Sequence, residues 1–305
     1  MAAQERTEQV VEIDGRQLKV SNLDKVLYPE ASFTKAEVID YYARVAPAML
    51  PHIADRGLTL RRFPNGVDAQ SFFEKRCPSH RPDWVGTFDG PGDRSGTIGY
   101  CALDSTAALV WAANMAALEL HAPMARGTDI ESPTMCVFDL DPGPGTGVPE
   151  CAEVALDIRA VLERLADLQC FVKTSGSKGL QLYVPLNTPH GHEQCSSFAQ
   201  AVAQVLEKHH ADRVTSTMAK KARPGKVFID WSQNSRHKTT VAVYSLRARP
   251  RPTVSTPVTW DEVADAAGGG ALSFETAEVL DRITEHGDLF APTLTVEQQL
   301  PDLQG

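Results

Sequence analysis

The strongest constraint on the fold lies between residues 135 and 166. Residues 135–140 read MCVFDL, an apolar run of strand length that stops at a Gly/Pro-rich turn over 141–149. Beyond it, residues 149–166 (PECAEVALDIRAVLERLA) bring Val154, Ile158, Val161, Leu162 and Leu165 to one side of a helix. A strand, a turn and an amphipathic helix in this order need a sheet for the helix to cover. Further strand-like runs follow at 171–174, 180–185, 227–231 and 240–245, with a helix at 197–209 between them. Upstream, residues 34–50 begin on Thr34 with Glu37 three positions later, the capping-box spacing, and predict a helix. Residues 58–63 and 70–75 read as strands around the turn Pro64-Asn65-Gly66. The Ala- and Leu-rich stretch 107–120 reads as a buried helix closed by His121. The expected class is α/β in the mixed α+β sense, with mixed sheets flanked by helices.

No stretch reaches the roughly 20 apolar residues that span a bilayer, and the N-terminus lacks the apolar centre of a secretion signal. A cytoplasmic protein without membrane contact is expected. The six cysteines, Cys77, Cys101, Cys136, Cys151, Cys170 and Cys195, are scattered and read as reduced thiols. The net charge of −9 argues against a nucleic-acid partner until its distribution is examined. From Asp261 onward ten acidic residues face Arg282 alone, which leaves residues 1–260 with 29 charges of each sign. Between Asp212 and Arg251 ten Lys and Arg residues oppose only two acids, a localised basic face suited to phosphates. The expected organisation is one compact core over 1–260, with an N-terminal part to about 130 and a carboxylate-bearing part over about 131–260. The acidic segment 261–305 is expected to be helical and packed on that core, because Val279, Leu280, Ile283 and Leu289 recur within it.

Asp139 and Asp141 sit two residues apart at a strand end and so project from one face. Such a pair can share hard cations of the kind used in two-metal phosphoryl chemistry. An isolated Asp-x-Asp beside Pro-Gly is more often an Asx turn. Asp230 adds weight, since it lies inside the apolar run VFIDW, where burial of an unpaired carboxylate is costly. A salt bridge to a nearby Arg or Lys is the alternative. Ser175-Gly176-Ser177-Lys178-Gly179 lies between two strands and can cradle an anion with backbone N–H groups and Lys178, or can be a plain hairpin turn. His121 reads as a helix-capping residue or a phosphate contact. Cys77-Pro-Ser-His80 and His190-Gly-His192 lack second halves, so zinc is not expected. No Lys-x-Asp-Gly occurs, so the covalent chemistry of a ligase has no candidate nucleophile.

Taken together, these residues resemble the polymerase domain of the bacterial non-homologous end-joining DNA ligase, within the archaeo-eukaryotic primase superfamily. The resemblance runs in order through Leu23-Asp24-Lys25-Val26-Leu27-Tyr28-Pro29, Phe72-Phe73-Glu74-Lys75, Ala116-Ala117-Leu118-Glu119-Leu120-His121 and Phe138-Asp139-Leu140-Asp141-Pro142-Gly143. It continues through residues 174–180, then Val227-Phe228-Ile229-Asp230-Trp231-Ser232-Gln233-Asn234 and Tyr244-Ser245-Leu246-Arg247. It implies the primase-polymerase catalytic fold and addition of nucleotides, commonly ribonucleotides, to a primer 3′-hydroxyl at gaps or double-strand-break ends. Asp139, Asp141 and Asp230 would bind two divalent ions, with Mn²⁺ favoured and Mg²⁺ possible. His121, Ser175, Gly176, Ser177, Lys178 and Arg247 would hold the triphosphate, and Arg61 and Gln233 would lie near the nucleotide and its sugar. Lys25 and Lys35 match a pair that grips a DNA 5′-phosphate, and Phe72 and Phe73 match aromatics that stack on the template. Read from the residues alone, Phe72-Phe73 is core by default, with at most one ring exposed.

Arg61 stands where relatives carry Lys, and the stretch from His121 to Asp139 is short where some relatives hold an end-organising loop. Gap filling or primer extension is therefore favoured over end synapsis. The resemblance further implies a bacterial, nucleoid-associated, monomeric and free-standing polymerase, with a DNA ligase and Ku as partners in trans. Two rivals are a DNA-end-binding subunit without catalysis and a two-metal nuclease.

Overall fold

The computed structural model describes residues 8–92 and 96–302 and omits the Leu165 and Ala166 side chains, so the expected role of Leu165 lies outside the described residues. Two sheets organise the chain. A six-stranded sheet runs in the order Val214–Thr215, Val227–Asp230, Met135–Pro142, Leu180–Pro185, Phe171–Thr174, Pro257–Val258. Its pairs are antiparallel except for the edge pair Val214–Thr215 with Val227–Asp230, so the sheet is mixed. A four-stranded antiparallel sheet runs in the order Thr239–Val241, Ala117–Pro123, Thr59–Arg62, Phe72–Glu74.

The central strand Met135–Pro142 is buried along most of its length because helices cover it. Val148–Ala166 contributes Val154, Ile158 and Leu162, and His192–His209 contributes Phe198, Val202 and Leu206 to the same core. A second core lies under the four-stranded sheet, where the helix Lys35–Ile53 packs Tyr41, Tyr42, Val45 and Met49. That helix starts at the expected capping box: Thr34 Oγ1 accepts from the Glu37 N–H, and the Glu37 carboxylate accepts from the Thr34 N–H at 2.7 Å.

The stretch read as one helix over 107–120 is a helix and a strand. The helix Thr106–Asn114 ends at Met115, Ala116 takes a left-handed φ of 57°, and Ala117–Pro123 continues as a strand. An apolar run buried on all sides has no periodicity to separate helix from strand. His121 therefore lies within a strand and caps no helix. The reduced-thiol reading is also corrected in one place. Cys77 and Cys101 form a disulfide, and the other four cysteines are free and buried. The pair meets because the hairpin Thr87–Pro91/Thr97–Cys101 returns the chain, and the Cys77 N–H donates to the Gly99 carbonyl.

In the acidic C-terminal segment, the helices Trp260–Ala267 and Thr276–His286 bury Val263, Ala266 and Val279. Asp288 ties this segment to the rest, accepting from Tyr244 Oη at 2.6 Å and lying 2.7 Å from His52 Nε2. Among the described residues, no helix is long and apolar enough to cross a membrane.

Candidate active site

Three carboxylates share one face of the six-stranded sheet. Asp139 pairs in register with Asp230 on the neighbouring strand, and Asp141 follows two residues further along the central strand. Register partners and i, i+2 neighbours point the same way. One ligand oxygen from each of the three can be chosen so that all lie within 4.8 Å of one another. Burial and the neighbouring Asp141 charge push the Asp139 carboxyl up to about 7, and burial and the Asp230 charge raise Asp141 as well. Arg223 approaches Asp141 only to 3.9 Å. Asp230 is met by neutral donors: Ser232 N–H at 3.0 Å, Ser232 Oγ at 2.6 Å and Gln233 Nε2 at 3.0 Å. The salt-bridge alternative for Asp230 thus finds no partner among the described residues. Carboxylates whose mutual repulsion and burial outweigh their nearby cations form a donor set suited to divalent cations.

Asp139 and Asp141 open onto a cleft of about 450 Å³ that His121, Ser175, Ser177, Lys178 and Arg247 also line. The loop 175–179 is internally organised. Ser175 Oγ accepts from the Ser177 and Gly179 N–H groups at 3.3 and 3.2 Å, and Arg247 Nη1 donates to the Ser175 carbonyl at 2.9 Å. Gly176 takes a φ of +66°, and a Cβ there would lie 2.7 Å from Arg247 Cγ, so only glycine lets the loop close on the arginine. Lys178 is left exposed at the rim.

Glu119 joins the basic residues of the site, although the sequence alone gives it no distinguishing motif. Its side chain is 2% exposed, and it contacts His121 Nε2 at 3.0 Å, Arg61 Nη1 at 3.3 Å and Arg247 Nε at 3.3 Å, with the Ala248 N–H at 3.0 Å. Burial works to raise its pKa, but the His121 hydrogen bond, the Arg247 charge and the Ala248 N–H prevail and bring it down to about 2. Burial lowers His121 from its ordinary value, against the pull of Glu119. Phe73, Arg61 and Glu119 form a row in register across three strands. The alternation of Glu119 and His121 in a strand was the signal for this hub, hidden by the helical reading of 107–120.

Phe72 and Phe73 are both exposed, at 44% and 57%, which corrects the expectation that at most one would be. Their strand is the edge of its sheet, and neither face is covered there. Lys25 and Lys35 flank a small hairpin and are joined by a backbone bond from the Lys35 N–H to the Lys25 carbonyl. Lys25 Nζ reaches Asn65 at 3.0 Å at the surface. Lys35 is buried, and its Nζ donates to the Ser21 carbonyl at 2.6 Å.

A family model described as LigD, primase-polymerase domain, matches residues 34–290. The chain belongs to the LigD primase-polymerase domain family. It is 48% identical over 279 residues to the multifunctional non-homologous end joining protein LigD of Mycolicibacterium smegmatis, covering 90% of this chain and 36% of that relative. Against the LigD of Pseudomonas aeruginosa it is 33% identical over 251 residues, covering 82% of this chain and 30% of the relative. The chain thus spans about a third of the length of these curated LigD proteins. The polymerase domain from Mycobacterium tuberculosis Ligase D, solved in complex with DNA, superposes with a TM-score of 0.85 at 46% identity, covering 91% of this chain and 98% of that one. As a LigD primase-polymerase domain, the chain is a polymerase of the nucleotidyltransferase type with a mixed α/β fold.

Proposed function

We propose that this LigD-type domain extends a primer 3′-hydroxyl across gaps or at broken DNA ends, with ribonucleotides preferred and the template read by base pairing. The observation that carries this reading is a cluster of three carboxylates, two of which, Asp139 and Asp141, line one cleft with Ser175, Ser177, Lys178, His121 and Arg247. A nuclease would use the acids and have no need of the triphosphate-sized basic pocket. An end-binding subunit would have no need of either.

Asp139, Asp141 and Asp230 are the residues that would hold two divalent ions, Mn²⁺ or Mg²⁺, and their mutual repulsion and oxygen-only donor set fit such ions. When bound, the ions neutralise phosphate charge and lower the pKa of the attacking hydroxyl. The protein's own part is positioning and electrostatics. Arg247 and Lys178 meet the β- and γ-phosphates, and the leaving pyrophosphate departs toward them. His121, its ring set by Glu119, contacts the phosphates from the opposite sheet. Arg61 and Gln233 flank the nucleotide and its sugar, with Gln233 held against Asp230. On the DNA side, Phe72 and Phe73 offer stacking surfaces to template bases, and Lys25, backed by the charge of buried Lys35, receives a 5′-phosphate. We assign the domain to the bacterial cytoplasm, on nucleoid DNA, as a monomer that hands its product to a DNA ligase and works with Ku. In this reading residues 1–260 form the catalytic core and 261–305 an acidic cap.

The test is extension of a labelled primer on 5′-phosphorylated gapped DNA, with ribo- or deoxyribonucleotides and with Mn²⁺ or Mg²⁺. Extension by the intact domain, lost in Asp139→Ala while gapped-DNA binding persists, is the expected result. Binding without extension in every combination would return the end-binding reading. Shortening of the primer in place of extension would return the nuclease.

A further inference from the structure

Four polar side chains stand in one row across the six-stranded sheet. Register pairs Asp230 with Asp139, Asp139 with Gln181, and Gln181 with Lys173. The row leads from the carboxylates to a lysine that is 1% exposed. A buried ammonium is costly unless its surroundings need it, so its place at the end of this row calls for a physical account.

The contacts along the row fit a complete donor–acceptor assignment in which Lys173 is an ammonium group. Ser255 Oγ gives its proton to the Thr174 carbonyl at 2.8 Å and must therefore accept from Lys173 Nζ at 2.7 Å. The Val241 carbonyl, 3.1 Å from Nζ, can only accept. Gln181 Oε1 is the third acceptor, at 2.5 Å, and also receives the Tyr183 hydroxyl at 3.3 Å. Three acceptors take up all three protons of an ammonium group. With its oxygen turned to Lys173 Nζ and the Tyr183 hydroxyl, the Gln181 amide presents its Nε2 to Asp139 Oδ1 at 3.0 Å.

We propose that Lys173 and Gln181 are positioning residues for Asp139: Lys173 locks the Gln181 amide, and the amide occupies one Asp139 oxygen, leaving the other as the cation ligand. Neither residue needs to touch the nucleotide to do this. Gln181 lines the cleft beside Asp139 and acts here through its hydrogen bond to that acid; loss of such a partner of a metal ligand costs about 10–100-fold in metal affinity or activity. This inference rests on the reading of Asp139, Asp141 and Asp230 as a metal site.

The experiment is a manganese titration followed by the electron paramagnetic resonance signal of free Mn²⁺. It compares the intact domain with Lys173→Met, Gln181→Met, the double variant and Asp139→Ala, each checked for cooperative melting. Each single variant should bind Mn²⁺ about 10–100-fold more weakly. The double variant should lose no more than the weaker single, because the two residues act in series. In primer extension, the Mn²⁺ concentration for half-maximal rate should rise while affinity for gapped DNA stays unchanged. If the intact domain binds no Mn²⁺, or Asp139→Ala binds as well as the intact domain, the metal reading itself fails. If those two behave as expected but folded Lys173→Met and Gln181→Met keep normal affinity, the positioning role is overturned. Losses that multiply in the double variant overturn it equally. Should Lys173→Met not fold, Gln181→Met, which keeps the lysine, decides alone.

Discussion

Asp139 lies directly opposite Asp230 across an antiparallel strand pair, with both carboxylates on one face of the sheet. Like charges opposite one another destabilise a sheet, so the pair marks a place where function outweighs stability.

The first prediction follows from that conflict. Burial and Asp141 raise Asp139 from 3.8 to about 7. A raised carboxyl imposes no penalty below its unfolded pKa, a growing one between the two values, and the full one above the folded value. Without metal, Asp139→Asn should therefore be more stable than the intact domain at pH 8, on the order of 2–4 kcal/mol. The advantage should fade as pH falls from 7 toward 4. Chemical denaturation in EDTA at pH 5, 6, 7 and 8 measures this, and Mn²⁺ should abolish the difference at pH 8 by stabilising only the intact domain. Equal stability of the two proteins at pH 8 in EDTA would count against a repulsive acid cluster.

Glu119 makes the opposite case. It holds Arg61, His121 and Arg247 at once, and its pKa is depressed from 4.5 to about 2. Its contribution is fully present above pH 4.5 and is lost as pH falls toward 2. Glu119→Gln should cost about 1–3 kcal/mol at pH 7, since it leaves the part-buried Arg247 and Arg61 without their buried counter-charge. The gap between the two proteins should narrow below pH 4.5. The nucleotide KM should rise at least 10-fold with little change in gapped-DNA affinity, because three groups of the pocket lose one common anchor. A stability loss with unchanged KM would confine Glu119 to a structural role.

The disulfide gives a third prediction. Cys77 and Cys101 are separated by 24 residues in sequence, and closing a loop of that size stabilises by about 3 kcal/mol in the chain-entropy account. Dithiothreitol, or Cys77→Ala with Cys101→Ala, should lower the melting temperature. Hydrogen exchange should rise first in residues 72–101, which the bridge encloses or adjoins. Mass spectrometry of the unreduced protein should find two fewer alkylatable thiols than six.

What could be read in the sequence was what depends on local contrast. Phe171–Thr174 and Leu180–Pro185 are short buried runs bounded by turns, and the structure has strands with those bounds. Acids set inside apolar strands stand out for the same reason, so Asp139, Asp141 and Asp230 could be singled out before any geometry. What could not be read depends on register between distant strands. Gln181 and Lys173 look like ordinary polar residues in a strand until pairing sets them in one row with Asp139. Cys77 meets Cys101 only through a hairpin, and Glu119 was concealed because residues 117–120 are apolar enough to pass for helix.

Phe72 and Phe73 supply the last prediction, because their contacts differ while their exposure is similar. The Phe73 ring lies 5.6 Å from the His121 ring and 5.2 Å from the Arg61 guanidinium, so in the proposed reading it would serve both the template and the nucleotide. Among the described residues Phe72 stacks only with Arg62, at 5.2 Å, and Arg62 is engaged by Glu74 at 2.8 Å. Base stacking on an aromatic ring is worth about 1–3 kcal/mol by alanine substitution. Phe72→Ala and Phe73→Ala should each weaken gapped-DNA binding by about 5–100-fold, the same energies expressed as ratios. Only Phe73→Ala should also raise the nucleotide KM, since it frees the His121 and Arg61 side chains that Glu119 holds from below. Both variants should melt within a few degrees of the intact domain, because exposed rings on an edge strand contribute little to the core. Fluorescence anisotropy with gapped DNA, paired with KM measurements, separates the two residues. If both variants shift KM equally, the two rings act as one surface, and the division drawn from their contacts is wrong.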